Sequence, residues 1–174
     1  MGGQRPDLIR EELPWLAREA KRSGWGRGVV PPIAAMFPSA KVHATGAQSV
    51  ASDTPVKITM NATDWDNDEM FDNTNDRLIA KHAGLLLVVA GLAWAANSAG
   101  ERYLYVYQNG AAVASQIIFL TASAVARATI SVPVSVARND YVELFGFHSV
   151  GVNLNTAVAD GLPFLSATWI GVPS

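Results

Sequence analysis

The stretch from Met60 to Ala90, MNATDWDNDEMFDNTNDRLIAKHAGLLLVVA, decides the fold of this chain of 174 residues. It begins as a loop rich in Asp and Asn and leads into an uncharged run at residues 83–96. That run is too short for a membrane-spanning helix, which needs about 20 apolar residues, and its glycines and valines disfavour any helix. We therefore predict a strand buried on both faces, in the middle of a sandwich or against sister subunits.

Short alternating segments follow one another through the chain from residue 39 onward. Alternation of apolar and polar residues is typical of half-buried strands, and Asn109-Gly110 predicts a tight hairpin turn because both positions accept positive φ. No helical periodicity is visible after residue 22, so the sequence predicts an all-β sandwich. The other predicted strands are residues 41–44, 56–60, 102–107, 111–120, 129–136, 141–147 and 164–172, with a turn at 138–140 and a loop at 149–160.

Residues 1–32 are predicted to form a short amphipathic helical arm and a linker. Asp7 is a candidate N-cap, and apolar residues recur at near-helical spacing up to residue 20. Pro14 predicts a kink or two short helices, and glycines with Pro31-Pro32 make residues 23–32 a boundary before a domain at 33–174. The arm is either an anchor or stem for a larger assembly, or a helix folded back on the domain. Its anchoring residues are Leu8, Ile9, Leu13, Trp15 and Leu16.

Composition narrows the possible partners. Charged residues make up 16% of the chain and hydrophobic residues 49%, with a net charge of −2. This balance gives no broad attraction to nucleic acid or to an anionic membrane, whereas so apolar a chain is expected to cover part of its surface with another subunit. The absence of cysteine excludes thiolate nucleophiles and Cys-based zinc sites. We see no secretory signal, so release by lysis or on a particle is expected if the protein works outside a cell.

The spacing of anchors in the opening stretch resembles the signature of the complement component 1q and tumour necrosis factor superfamily. Residues 139–144 resemble that family's turn and strand, and residues 164–171 its closing strand. The resemblance implies an antiparallel jelly roll over residues 38–173 and a homotrimer around a threefold axis. The positions that match the signature in spacing are Met60, Asp66, Phe71, Leu78, Gly84, Leu86, Val88 and Ala90. The residues that it places in the trimer interface or the core are Leu86, Val88, Ala90, Trp94 and Trp169.

The acidic loop raises the question of a metal. Carboxylates at alternating positions, Asp64, Asp66 and Asp68, are ligands that calcium uses. The calcium-loop template fails, because Glu69 stands at its glycine position and Asn75 at its bidentate glutamate position. Some members of the resembled family bind calcium, so calcium stays open as a weak hypothesis beside a solvated acidic loop. We expect no other cofactor.

Three tyrosines form a possible ligand face. Tyr103, Tyr105 and Tyr107 project from one side of their predicted strand, and Leu104 and Val106 from the other. If the aliphatic pair fills the core, the tyrosines form a stripe that either stacks on sugars or packs against a neighbouring part of the protein.

Catalytic patterns are missing from the sequence. His43, His82 and His148 are too far apart for the helical zinc-hydrolase spacing, and two residues separate Gly146 from Ser149, so a nucleophile elbow does not fit. We therefore expect structural histidines and no enzyme. Asn61-Ala62-Thr63 matches a glycosylation acceptor, which carries little weight without a secretory signal.

Together these features predict a bacteriophage virion structural protein. Jelly rolls of the resembled family occur as secreted animal recognition heads and as phage surface modules, and a cysteine-free chain with its own arm fits the second setting. The expected protein is a homotrimer on the virion surface, fastened by its arm to other virion proteins of a tail tip, tail fibre or capsid. Its role would be attachment to a host glycan or capsid decoration. The alternative is a soluble bacterial binding module that recognises a glycan or protein.

Overall fold

A computed structural model of the protein describes residues 37–119 and 123–171, which are all-β. The predicted helical arm, with Leu8, Ile9, Leu13, Trp15 and Leu16, lies outside the described residues. The strands are β1 Ser39–His43, β2 Ser49–Val50, β3 Val56–Lys57, β4 Ala62–Asp66, β5 Phe71–Asp72, β6 Arg77–Ile79, β7 Gly84–Trp94, β8 Glu101–Gln108, β9 Ala111–Phe119, β10 Ala126–Val136, β11 Tyr141–His148, β12 Leu154–Asn155 and β13 Phe164–Gly171.

Most of these strands belong to two antiparallel sheets. Sheet one has the order β10-β7-β13-β1-β4, and sheet two has the order β5-β6-β11-β8-β9 with β3 beside β11. Strands β2 and β12 form a separate pair. The long strand β7 lies between β10 and β13 and pairs with β10 along its whole length. The opening stretch of the sequence therefore supplies one edge strand of each sheet, β4 and β5, as well as most of β7, an interior strand of sheet one.

The core lies between the inward faces of the two sheets, as alternation along the strands predicts. Leu86, Val88 and Ala90 of β7 are buried, and so are Leu104 and Val106 of β8. The two sheets are in close contact at Gly146 of β11, where an added Cβ would lie 2.8 Å from the ring of Trp94. A larger residue at position 146 would therefore press on a fully buried tryptophan.

Strand β7 differs from the prediction in one respect. Only its second half, residues 91–94, is buried on both faces within one chain, because Leu85, Leu87 and Val89 remain half-exposed. The loop predicted between Met60 and Ala83 also contains three short strands, β4, β5 and β6. The sequence concealed them because Asp and Asn have low strand propensity, which pairing at a sheet edge overrides.

The hairpin between β8 and β9 turns at Asn109 and Gly110, whose φ angles are 51° and 81° as the sequence predicts. The side chains of this turn are tied to the turn before β11. Asp140 accepts hydrogen bonds from the Asn109 amide at 2.8 Å and from the backbone N–H of Ala137 at 2.8 Å. These bonds hold the pKa of Asp140 below its ordinary value.

Candidate interaction surfaces

The outward face of sheet one carries an apolar stripe, which we define as Leu85, Leu87 and Val89 of β7. All three side chains are half-exposed in the single chain. The register places Pro133 of β10 beside Leu87 on one side and Thr168 of β13 on the other. The side chains paired beside the stripe on β10 and β13 are short and uncharged, namely Ser131, Pro133, Ser135, Ser166 and Thr168.

A charged cluster borders this face at β1 and β4. Lys41 Nζ lies 2.8 Å from the Asp64 carboxylate, and His43 Nδ1 lies 3.0 Å from it. The ammonium group of Lys41 also lies 5.5 Å from the Trp65 ring centre and 5.3 Å from that of Phe164. The hydrogen bond from Lys41 is the main reason why the pKa of Asp64 is lowered. The face thus has an apolar centre with a charged margin.

Strand β9 is an open edge of sheet two, because no further described strand hydrogen-bonds to it, although β10 of sheet one runs close beside it. It pairs with β8 alone in the described part of the chain, and its sequence AAVASQIIF has neither a charge nor a proline. Val113 is 42% exposed and Phe119 is 67% exposed. Natural edge strands are usually protected by charges, proline or cover from another element. The edge at the other end of the same sheet, β5, carries Asp72.

The outward face of sheet two carries an aromatic array, which we define as Tyr103, Tyr105, Tyr107, Phe145 and Phe147. All five side chains are half-exposed. The structure thus places the three predicted tyrosines on one face and adds two phenylalanines of β11. Alternation in residues 141–147, which puts Tyr141, Phe145 and Phe147 on one side of a strand, is the signal that would have found them.

Ring contacts hold the array together. Tyr107 stacks on Phe145 with centroids 4.1 Å apart, and Tyr103 stacks on Tyr105 at 5.5 Å. Phe147 meets Tyr103 edge to face at 5.4 Å. The hydroxyl of Tyr103 donates to Glu101 Oε2 at 2.9 Å, and this bond raises the pKa of Tyr103. Burial raises the pKa of Tyr105, so both hydroxyls stay protonated near neutral pH.

The acidic loop binds its own backbone. Asp66 Oδ1 accepts the N–H of Met70 at 2.9 Å, and its Oδ2 accepts that of Phe71 at 2.9 Å. Asp68 lies 3.4 Å from His82 Nε2, and burial raises the pKa of Asp68 against the opposing effect of that imidazole. The three calcium candidates, Asp64, Asp66 and Asp68, therefore have separate partners. Within residues 37–119 and 123–171, no three acidic or histidine side chains form a group that could hold a metal. Calcium binding stays a prediction for calorimetric titration.

The residues considered for an interface or for catalysis have structural contacts. Leu86, Val88, Ala90, Trp94 and Trp169, which the resemblance placed in the interface or the core, all lie inside the single chain. His148 is fully buried, with Nε2 2.9 Å from the carbonyl oxygen of Val50. Sequence reasoning missed Arg102, which is fully buried and donates to the carbonyls of Ala99 and Asn97. Burial lowers the pKa of this guanidinium.

Three solved structures share this architecture along most of the chain. The Eiger TNF of S. frugiperda superposes with a TM-score of 0.60 over 79% of this chain and 95% of that chain, at 12% identity. Murine APRIL gives a TM-score of 0.62 over 77% of this chain and 99% of its own, at 10% identity.

The globular domain of zebrafish complement 1qA superposes with a TM-score of 0.57 over 78% of this chain and 98% of that chain, at 14% identity. The fold is that of the tumour necrosis factor and complement 1q domains. The jelly roll predicted from residue spacing is thereby confirmed, although these identities are too low to transfer any activity.

A phage-related protein is similar in sequence. The phage-like element PBSX protein XkdV of Bacillus subtilis (strain 168) is 33% identical over 136 residues, which cover 71% of this chain and 19% of that protein. This chain therefore spans about a fifth of the length of that relative. No protein-family model matches the chain. No helix in the part of the chain that the structure describes is both long and apolar enough to cross a membrane.

Proposed function

We propose that this jelly roll is a non-enzymatic structural module of a bacteriophage particle, displayed on the virion surface as a homotrimer. The observation that carries the proposal is the 33% identity to a phage-like element protein along 71% of the chain. The jelly-roll fold supports it, because the same architecture serves the TNF and complement 1q domains, whose families are trimeric. The arm, with residues 1–32, would fasten the module to a tail tip, tail fibre or capsid.

The outward face of sheet one supports self-association. Stable protein interfaces have an apolar centre and a polar margin. The apolar stripe, bordered on one side by the Lys41–Asp64 ion pair, has that arrangement. The short, uncharged side chains of Pro133 and Thr168 beside Leu87 would let another subunit approach closely. This support comes from the outward residues of β7, which alternate with the inward residues that the family signature emphasised.

A closed ring of identical subunits also needs a second, different patch, because each subunit presents one surface to the next and another to the previous one. The open edge of β9 is a suitable second patch. It is uncharged and exposes Val113 and Phe119. In the ring that we propose, this edge of one subunit lies against the apolar stripe of its neighbour, so both exposed surfaces are covered together.

An enzymatic role has less support. A pocket of about 270 Å³ is lined by Ala44, Gly46, Ala47, Gln48, Thr59 and Asn61, none of which titrates near neutral pH. The buried titratable groups described above hold loops and strands in place through backbone contacts. The competing function is a soluble bacterial binding module with the same fold, in which the arm is folded back.

Particle association separates these two functions. Antibody detection in purified particles would compare the intact chain with a variant that lacks residues 1–30. We expect the intact chain in particles, and the variant to remain trimeric in solution but to leave the particles. Absence of the intact chain from particles would favour the soluble binding module. Equal incorporation of the two forms would show that the arm is not the anchor.

A further inference from the structure

We propose that the aromatic array on sheet two binds a neutral oligosaccharide. This inference rests on the proposed function, because a module displayed on a particle needs an outward surface that meets its target. The array lies on the outward face of sheet two. The proposed ring uses the outward face of sheet one and the β9 edge, so the outward face of sheet two at β8 and β11 is left open to solvent. Exposed aromatic patches of this kind mark interaction sites more often than scattered single rings do.

The array is ready to bind without rearrangement. Tyr105 is held between Tyr103, which stacks on it at 5.5 Å, and Tyr107, which meets it edge to face at 6.1 Å. Phe145 and Phe147 support the outer two rings from β11. Side chains that are already ordered lose little rotamer entropy when a ligand arrives, and this improves affinity for a small ligand.

The chemistry of the array matches a sugar better than a purely apolar ligand. Three of its five rings carry hydroxyl groups, and those of Tyr105 and Tyr107 have no hydrogen-bond partner within residues 37–119 and 123–171. A pyranose presents C–H groups on its faces and hydroxyls around its edge. It can therefore pack against the aromatic rings and, at the same time, form hydrogen bonds with the tyrosine hydroxyls. A lipid tail or an apolar peptide would leave the hydroxyls of Tyr105 and Tyr107 without a partner.

Charge at the array selects a neutral ligand. Glu143 beside the array is compensated by Lys57, whose Nζ lies 3.2 Å from its carboxylate. Glu101 bonds Tyr103 and forms no ion pair with the rest of the described chain. The local charge is therefore negative, which repels phosphates and acidic sugars, while the Glu101 carboxylate remains an acceptor for sugar hydroxyls.

Amide chemical-shift titration of the isotope-labelled intact chain tests the proposal. The probes are cellotriose, maltotriose and the trimer of N-acetylglucosamine, with sialyllactose as the anionic comparison. We expect at least one neutral probe at millimolar concentration to give saturable shifts in β8 and β11, and sialyllactose to give none. Tyr105→Ala should weaken binding at least about tenfold, and Tyr105→Phe should weaken it less because the ring remains. Trp65→Ala, which removes an exposed ring from sheet one, is the matched control and should leave binding unchanged.

Three results would overturn the proposal: no shift in β8 and β11 with any neutral probe, equal binding of sialyllactose, or unchanged affinity in Tyr105→Ala. If Tyr105→Ala does not fold, Glu101→Gln serves instead, and it should weaken the sugar contact while the rings stay in place. Sugar binding and particle association are separate measurements, so a failed titration leaves the proposed virion role standing. Absence from particles, in turn, leaves the titration result standing.

Discussion

A single carboxylate shapes the acidic loop between β4 and β5. Asp66 accepts the N–H groups of Met70 and Phe71, and more weakly that of Asp68 at 3.3 Å. We expect Asp66→Ala to lower the free energy of unfolding by about 1–3 kcal/mol, since it leaves partly buried donors unpaired. Asp64→Ala is the control, because exposed ion pairs contribute about 0–1 kcal/mol. Urea denaturation measures both, and an equal small loss in the two variants would contradict this role of Asp66.

Asp140 should make stability depend on acid. The Ala137 N–H, followed by the Asn109 amide, lowers the pKa of Asp140 from its ordinary 3.8. Between pH 3.8 and the lowered pKa, the Asp140 carboxylate is protonated in the unfolded chain but not in the folded chain. Its contribution to the free energy of unfolding is therefore fully present above pH 3.8 and is lost as the pH falls through the lowered pKa. We expect Asp140→Asn to be less stable at neutral pH and to show a flatter stability curve between about pH 5 and pH 2.

Other carboxylates modify that curve. The pKa values of Asp64 and Asp72 are also lowered, so some acid dependence remains in Asp140→Asn. Asp68 acts in the opposite sense, because burial raises its pKa and its contribution is lost as the pH rises. Urea denaturation across this pH range tests the sign for Asp140. A variant whose curve keeps the slope of the parent would show that Asp140 contributes nothing to it.

At the scale of elements, the two sheets depend on close contact between β7 and β11. An alanine Cβ at position 146 would lie 2.8 Å from Trp94 Cη2 and 3.0 Å from Leu92 Cδ2, and both side chains are fully buried. We expect Gly146→Ala to destabilise the fold by about 1–3 kcal/mol through overpacking. Gly46→Ala is the control, because nothing lies within 4 Å of its added Cβ. A melting temperature of Gly146→Ala equal to that of the control would contradict this close packing.

The strands of the sandwich were largely predictable, whereas the role of each face of β7 was not. Alternation located β8 and β11 within one or two residues, and Asn109-Gly110 fixed the hairpin. In β7 both alternating sets are apolar, so periodicity alone does not decide which set faces inward. Pairing with β10 and β13 decides it by turning Leu86, Val88 and Ala90 into the core. The two-residue strand β3 lies within the segment predicted at 56–60, but β2, β5 and β12 were missed because long-range pairing, which a local pattern does not record, creates them.

At the scale of the whole molecule, part of the candidate surfaces was also visible in the sequence. The tyrosines of β8 were found because they alternate strictly with Leu104 and Val106. The contact of these tyrosines with Phe145 and Phe147 was not predicted, because the neighbours of a strand depend on the order of strands in the sheet. The same holds for the open edge of β9. The sequence shows that this strand is uncharged, but it does not show that the strand lies at the edge of a sheet. Surfaces that combine distant strands therefore needed the structure.

The proposed trimer predicts that a charge introduced into the apolar stripe will separate the subunits. Leu87→Glu would place a carboxylate in the buried interface without a partner, at a cost of several kcal/mol. About 1.4 kcal/mol already changes a dissociation constant tenfold, so light scattering should show this variant as a monomer. Because Leu87 is half-exposed in a single chain, the folded monomer should tolerate the charge, and circular dichroism should retain the β signal. Val152→Glu is the matched control, since Val152 is 64% exposed in a loop outside both proposed patches. It should remain trimeric, and a trimeric Leu87→Glu would exclude the apolar stripe from the subunit interface.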